Sequence, residues 1–98
     1  MQKQLIECVP NISEGRDSKI IETVSQIVET VEGVKLLDVD PGKATNRTVI
    51  TFVGEPEPVI EAAFKLIKKA SELIDMNKQM PVDYNKKAIE IYVLFILE

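Results

Sequence analysis

The sequence predicts an α+β domain of the ferredoxin-like type, a two-layer βαββαβ sandwich with an antiparallel sheet and two helices on one face. Two observations carry this prediction. Four segments of strand character alternate with two segments in which apolar residues recur at helical spacing. The first and third strands are each followed by a helix, and right-handed crossovers place both helices on the same face of the sheet. The 98 residues are expected to form a single domain, residues 1–98.

The chain opens with a strand and an amphipathic helix. Residues 3–9 have strand character, and Pro10 is expected to end the strand because proline has no N–H to donate to a sheet ladder. Asp17 is a favourable N-cap for the helix that follows, and Gly33 is expected to end it. The apolar stripe of this helix comprises Ile20, Ile21, Val24, Ile27, Val28 and Val31.

A hairpin follows the first helix. Residues 34–40 and 48–53 are the predicted second and third strands, and the third is rich in β-branched residues. Pro41 and Gly42 are expected to begin the turn between them. Packing alone does not require the polar groups that gather at this end of the sheet, which are Asp38, Asp40, Asn46 and Arg47. The hairpin is therefore a candidate site.

The second half of the chain supplies a helix and a last strand. Gly54-Glu55-Pro56 opens the helix, since proline suits a first helical turn. The stripe expected to face the core comprises Ile60, Ala63, Phe64, Ile67, Ala70, Ser71 and Ile74. Residues 77–87 form a polar connection, and residues 89–97 form a nearly continuous apolar strand.

Composition narrows the classes of function. The net charge of −4 leaves no broad cationic field, so neither nucleic acid nor an anionic membrane is an expected partner. The single cysteine, Cys8, cannot form an intrachain disulfide, and no metal-site spacing occurs. Cys8 is interpreted as a small buried hydrophobe. No apolar run approaches the roughly 18 residues of a membrane span, and no signal-peptide pattern is present, which predicts a cytoplasmic protein.

Six blocks of the chain resemble, in order and at similar spacing, the N-terminal subdomain of glutamate formimidoyltransferase, the folate-dependent enzyme of histidine breakdown. The blocks are residues 7–11 (ECVPN), 13–16 (SEGR), 36–40 (LLDVD), 46–49 (NRTV), 52–54 (FVG) and 73–76 (LIDM). The resemblance as a whole covers roughly residues 3–78. The resemblance implies transfer of a formimino group between N-formimino-glutamate and tetrahydrofolate, the co-substrate of that family.

The chain departs from the family at the segment that carries its catalytic histidine. Relatives continue with His-x-Gly-x-His-Pro-Arg, whose second histidine is the catalytic acid/base, whereas residues 77–85 here are NKQMPVDYN and the chain contains no histidine. Asp83 falls near that position, but a carboxyl with a reference pKa of about 4 is unsuited to proton transfer at pH 7. The second subdomain, which completes the folate site, has no counterpart here. The chain alone is therefore expected to be catalytically incompetent, as a truncated, frame-altered or diverged gene product or one completed by a separate polypeptide.

The resemblance implies candidate binding residues but no catalytic residue: Asn11, Ser13, Glu14, Asp40, Asn46 and Arg47. In the family, the counterpart of Asp40 helps to orient the catalytic histidine; the alternative is an aspartate that stabilises the turn at Pro41. Asn46 and Arg47 suit a carboxylate of glutamate or folate, or Arg47 pairs with an aspartate of the hairpin. Asn11, Ser13 and Glu14 reach the same site, or satisfy backbone groups before the first helix.

The last strand predicts self-association. Residues 89–97 are apolar on both faces, and the last strand of a βαββαβ sheet lies at an edge. A homodimer or higher closed oligomer is expected, with the open sheet face or the last strand between subunits. An interaction module, or a protein that binds folate or glutamate without turnover, remains an alternative to the formimidoyltransferase function.

Overall fold

The computed structural model of the chain describes residues 4–74 in full and, for residues 89–97, the backbone. The elements follow the predicted order: β1 (Gln4–Ile12), α1 (Ser18–Glu29), β2 (Val34–Gly42), β3 (Arg47–Gly54), α2 (Pro56–Leu73) and β4 (Ile89–Leu97). The strands form one antiparallel sheet in the order β2-β3-β1-β4. This is the βαββαβ arrangement, so the predicted fold class is confirmed.

The core lies between the sheet and the two helices. Alternate residues of β1 and β3 are buried there, whereas the residues between them are half-buried on the opposite, open face of the sheet. The helices contribute residues at helical spacing to the same cluster. Its principal members are Ile6, Cys8, Ile12, Val24, Val28, Ile50, Phe52, Val59, Ala62, Leu66 and Ala70. The face of the sheet away from α1 and α2 can therefore carry polar groups without disturbing the core.

Pro10 does not end β1, contrary to the prediction. It lies inside the strand, fully buried, and is paired with Ile91 of β4. β1 and β3 are bridged on either side of this point, but within the described sheet no bridge joins Val9 or Pro10 to β3. Pairing with β4 keeps the backbone extended at Pro10. Because proline has no N–H to donate, its position coincides with the gap in the ladder between β1 and β3. The strand therefore continues to Asn11 and Ile12.

α1 begins where predicted and ends earlier. The Asp17 carboxylate accepts hydrogen bonds from the backbone N–H of Lys19 at 3.0 Å and of Ile20 at 3.3 Å, as an N-cap does. The helix is capped at its other end by Thr30 rather than by Gly33. Gly33 lies in the turn before β2 with φ of 93°, a backbone conformation that favours glycine.

β2 runs further than predicted. Pro41 and Gly42 do not begin the turn but remain in the strand, where they pair with Thr48 and Arg47. Proline is tolerated there because β2 is an edge strand. The turn comprises residues 43–46.

The core-facing stripe of α2 is not the predicted one. Ile60, Phe64 and Ile67 are exposed to 65%, 66% and 37%. The residues buried against the sheet are Val59, Ala62, Leu66, Ala70 and Ile74, of which only the last two belonged to the predicted stripe. The prediction was wrong because α2 carries apolar residues on two faces, and periodicity alone does not say which face meets the sheet.

β4 lies at the edge of the sheet, as expected for the last strand. It pairs with β1 over its whole length, from Leu97 opposite Gln4 to Ile89 opposite Ile12. Association of subunits through this strand stays a prediction. None of the helices in the described part of the chain is long and apolar enough to cross a membrane.

Candidate functional site

Two of the predicted site residues lie on one rung of the sheet. Asp40 of β2 and Asn11 of β1 both pair with Val49 of β3, from opposite sides. Residues directly opposed in an antiparallel sheet point to the same face, so all three lie on the open face. Neighbouring strands are about 4.8 Å apart, which places the Asp40 and Asn11 backbones about 10 Å from each other. This spacing is short enough for one small molecule to reach both side chains.

A β-bulge turns the aspartates of β2 toward the open face. The register shifts between Leu36, which pairs with Phe52, and Asp38, which pairs with Thr51, so that Leu37 is the extra residue. Because side chains alternate along a strand, the same sequence without the bulge would direct Asp38 and Asp40 into the core. Both aspartates are exposed. The bulge therefore places both carboxylates on the open face of the sheet.

The loop between β1 and α1 docks directly on the β2–β3 hairpin. The backbone N–H of Gly15 donates to Asn46 Oδ1 at 2.9 Å, and the Thr48 hydroxyl donates to the Glu14 carbonyl. A Cβ on Gly15 would lie 2.3 Å from the Gly42 carbonyl oxygen and 2.7 Å from the Arg47 nitrogen. Only glycine allows this approach. Sequence reasoning named the two loops as one site but missed Gly15 and Thr48 as the contacts that join them.

Asn46 has a structural role at this junction. Its backbone is left-handed, with φ of 54°, a conformation that asparagine adopts more readily than most residues. Its side chain is 8% exposed, and the carboxamide oxygen is the acceptor for Gly15. Asn46 therefore closes the hairpin turn and holds the neighbouring loop against it.

Ser13 and Glu14 are buried, each 4% exposed. Glu14 Oε2 accepts from the backbone N–H of Arg16 at 3.1 Å and of Asp17 at 2.9 Å. This is the arrangement in which the loop satisfies backbone groups before α1. Arg16 Nε also donates to the Lys43 carbonyl at 3.0 Å, which adds a second link between loop and hairpin.

Arg47 is half-buried and lies opposite Gly42 in the hairpin, beside the Gly15 contact. Arg47 comes two residues before Val49 in β3 and so lies at the same end of the sheet as Asp40 and Asn11. Residues 77–85, which the resemblance aligns with the histidine segment, and Asp83 with them, lie outside the described residues.

Histidine and cysteine are the side chains whose ordinary pKa values lie nearest to neutral pH. The chain has no histidine. Burial raises the pKa of the Cys8 thiol from 9.0 to about 11, and this side chain faces the core. Residues 4–74 contain no group of three or more histidine, cysteine or acidic side chains that could hold a metal ion. The described part of the site can bind and orient a ligand through carboxylate, amide and guanidinium groups.

The burial of Cys8 predicts a pH dependence of stability. The thiol is neutral in both states below pH 9.0, and between pH 9.0 and about 11 it ionises first in the unfolded chain. The free energy of unfolding should therefore fall across this interval more steeply for the wild type than for Cys8→Ala, as measured by urea denaturation. Parallel pH profiles of the two proteins would contradict this expectation.

The comparisons with known proteins concern the family and the fold of the chain. Residues 5–82 match the family described as the formiminotransferase domain, N-terminal subdomain. The chain is 55% identical over 75 residues to the formimidoyltransferase-cyclodeaminase of Rattus norvegicus, covering 76% of this chain and 14% of that protein. It is 43% identical over 75 residues to the glutamate formimidoyltransferase of Streptococcus pyogenes serotype M1, covering 76% and 25%. The chain thus spans between a seventh and a quarter of the length of these relatives.

Among solved structures, an uncharacterized protein from Thermotoga maritima has a similar fold. The TM-score is 0.50 at 13% sequence identity, with 98% of this chain and 99% of the other covered. That likeness concerns the fold alone. The family match over residues 5–82, in which both docked loops and the Asp40 rung fall, decides kinship: the chain belongs to the formiminotransferase family, as its N-terminal subdomain.

Proposed function

We propose that this chain is the N-terminal wall of a formimidoyltransferase site, able to bind the glutamate substrate or folate but not to catalyse transfer alone. The reaction of the whole enzyme would be formimino transfer between N-formimino-glutamate and tetrahydrofolate, the co-substrate. The single observation that carries the proposal is the rung on which Asp40 and Asn11 flank Val49 on the open face of the sheet.

The chemistry of the rung suits the substrate. A formimino group is an amidine, which is cationic at neutral pH, and a carboxylate is its natural hydrogen-bonding partner. Asp40 is exposed and takes this role in the proposal. The Arg47 guanidinium, at the same end of the sheet, suits a carboxylate of glutamate or of the folate tail. Asn11 supplies an amide from the far side of the rung.

The remaining candidates position the site in this proposal. Ser13, Glu14 and Asn46 are buried. Asn46 holds Gly15, and Glu14 holds the turn into α1. They act by keeping the loop docked on the hairpin, and so fix where Asn11 and Arg47 lie relative to each other.

In this proposal the chain alone does not catalyse the transfer, because it has no histidine to act as the general acid/base. Loss of a general acid/base typically lowers the rate by about 10²–10⁴. The sequence has no histidine, and the Cys8 thiol has a pKa of about 11. The proposal places the chain in cytoplasmic histidine degradation, with activity requiring residues from elsewhere. The alternative of an interaction module is favoured by the exposed apolar residues of α2.

The proposal is tested by measuring turnover and binding on the purified chain. With N-formimino-glutamate and tetrahydrofolate we expect no formimidoyl transfer above background; turnover near 1 s⁻¹, within the range of ordinary enzymes, would contradict it. Calorimetry with each ligand should detect binding, and Asp40→Asn should weaken that of N-formimino-glutamate about tenfold, the loss of one charge-assisted contact. Glu22→Gln, an equal change of charge on exposed α1, is the control and should bind as the wild type. Absence of binding to either ligand would overturn the proposal.

A further inference from the structure

Asp40 and Arg47 are diagonal neighbours across the β2–β3 ladder. Asp40 pairs with Val49, and Gly42 pairs with Arg47 one rung nearer the turn. Arg47 and Val49 flank the buried Thr48 in β3, so both lie on the open face of the sheet. Diagonal neighbours are about 7–8 Å apart, a separation that a long side chain can reach across. Because Gly42 has no side chain, no side chain of β2 lies directly opposite Arg47.

The sign of the charge changes along this face. Asp38 and Asp40 are exposed on β2. Toward the turn the charged residues are cationic: Arg47, the turn residue Lys43, and Arg16, whose Nε donates to the Lys43 carbonyl. No ion pair joins Asp40 to Arg47 among the described residues. The Asp40 carboxylate and the Arg47 guanidinium are therefore neighbouring opposite charges that do not neutralise each other by direct contact.

The other charged residues that β1, β2 and β3 place on this face lie farther away. Lys35 and Glu7 flank Val53 from opposite sides. Val53 comes four residues after Val49 in β3, so this rung is about 13 Å from the Asp40 rung. The opposite charges near the turn are therefore a separate feature of the open face.

We propose that Asp40 and Arg47 form a two-point site for a zwitterionic substrate. The amidine of N-formimino-glutamate binds Asp40, and a carboxylate of the same molecule binds Arg47. This assignment rests on the proposed function, and it decides which of the two candidate carboxylates Arg47 takes. A guanidinium has several N–H donors in one plane, so Arg47 can hold a ligand carboxylate while it keeps its contacts within the chain.

The lengths of the two ligands favour the glutamate substrate. In N-formimino-glutamate the amidine and the α-carboxylate are attached to the same carbon atom, and the γ-carboxylate is two methylene groups further on. Both charges therefore fit between diagonal neighbours. In tetrahydrofolate a methylene bridge, an aromatic ring and an amide separate the pterin from the carboxylates. A folate whose pterin lies near Asp40 thus carries its carboxylates past Arg47.

Calorimetry on the full chain tests the assignment with three ligands: N-formimino-glutamate, tetrahydrofolate and N-butylformamidine, an amidine without a carboxylate. Arg47→Gln should weaken the binding of N-formimino-glutamate at least about tenfold, the loss of one charge-assisted contact, and leave that of tetrahydrofolate unchanged. Unchanged tetrahydrofolate binding also shows that the variant is folded. The wild type should bind N-butylformamidine at least about tenfold more weakly than N-formimino-glutamate, a comparison that needs no variant.

The matched control is Lys43→Gln, which removes the same charge from the turn and leaves the Lys43 carbonyl in place; it should bind all three ligands as the wild type does. The assignment would be overturned if Arg47→Gln weakened tetrahydrofolate instead of N-formimino-glutamate, or if Lys43→Gln had an effect equal to that of Arg47→Gln. Equal affinity of the wild type for the two amidines would also overturn it. These three outcomes leave the proposed function standing, as does a wild type that binds tetrahydrofolate only, which overturns the assignment alone. A wild type that binds neither N-formimino-glutamate nor tetrahydrofolate would overturn both.

Discussion

Gly15→Ala is expected to destabilise the chain by about 3 kcal/mol, because the added methyl group overlaps backbone rather than movable side chains. The new Cβ would lie 2.3 Å from the Gly42 carbonyl oxygen and 2.7 and 2.8 Å from the nitrogen and oxygen of Arg47. The hairpin and the loop would have to separate, which also breaks the bond from Gly15 to Asn46. Urea denaturation measures the loss.

Gly42→Ala is the matched control for this prediction. Its added Cβ would lie 3.0 Å from the Thr45 hydroxyl oxygen, the end of a side chain that can rotate, and 3.4 Å from the Arg47 carbonyl oxygen. We expect a loss below about 1 kcal/mol, in keeping with a contact that relaxes. Equal losses for the two variants would show that the close docking of loop on hairpin is not what Gly15 provides. Ligand binding at the Asp40 rung should weaken in Gly15→Ala and persist in Gly42→Ala.

Leu66→Ala is expected to cost about 2–5 kcal/mol, the range for a fully buried leucine whose removal leaves a cavity. Leu66 is 0% exposed in the core cluster. Phe64→Ala removes a larger side chain that is 66% exposed, and should cost less than about 1 kcal/mol in the monomer. Thermal or urea denaturation at a dilution where the chain sediments as a monomer separates folding from association. A larger loss for Phe64→Ala would mean that the stripe predicted from periodicity, and not the observed one, faces the sheet.

The order of the elements was predictable because its signals are local. Asp17 was identified as an N-cap from its residue type, and the structure shows the carboxylate accepting from Lys19 and Ile20. Pro56 lies in the first turn of α2, as expected. Strand and helix periodicities then allow few arrangements once crossover handedness is applied, and the four-stranded order agrees with the predicted topology.

The failures concern contacts between segments distant in sequence. Pro10 was expected to end β1 because proline cannot donate to a sheet ladder. The strand continues because β4 pairs with β1 at that point and keeps the backbone extended. The alternation of side chains along a strand does not predict the bulge at Leu37. The bulge nevertheless determines which face of the sheet carries Asp38 and Asp40. The wrong face of α2 was predicted to meet the sheet, because α2 has two apolar stripes and both have the helical period.

The sequence by itself determined the kinship, through six ordered blocks, and the absence of a histidine, through composition. It also indicated that the loop after β1 and the β2–β3 hairpin belong to one site. Only the tertiary structure decided that Asp40 and Asn11 share a rung through Val49. It also decided that the Asn46 side chain accepts a hydrogen bond from Gly15, and that α2 keeps an apolar face exposed. The physical reason is that residue type and spacing act over a few neighbouring positions, whereas register, the phase of a helix and loop docking are chosen by the packing of the whole core.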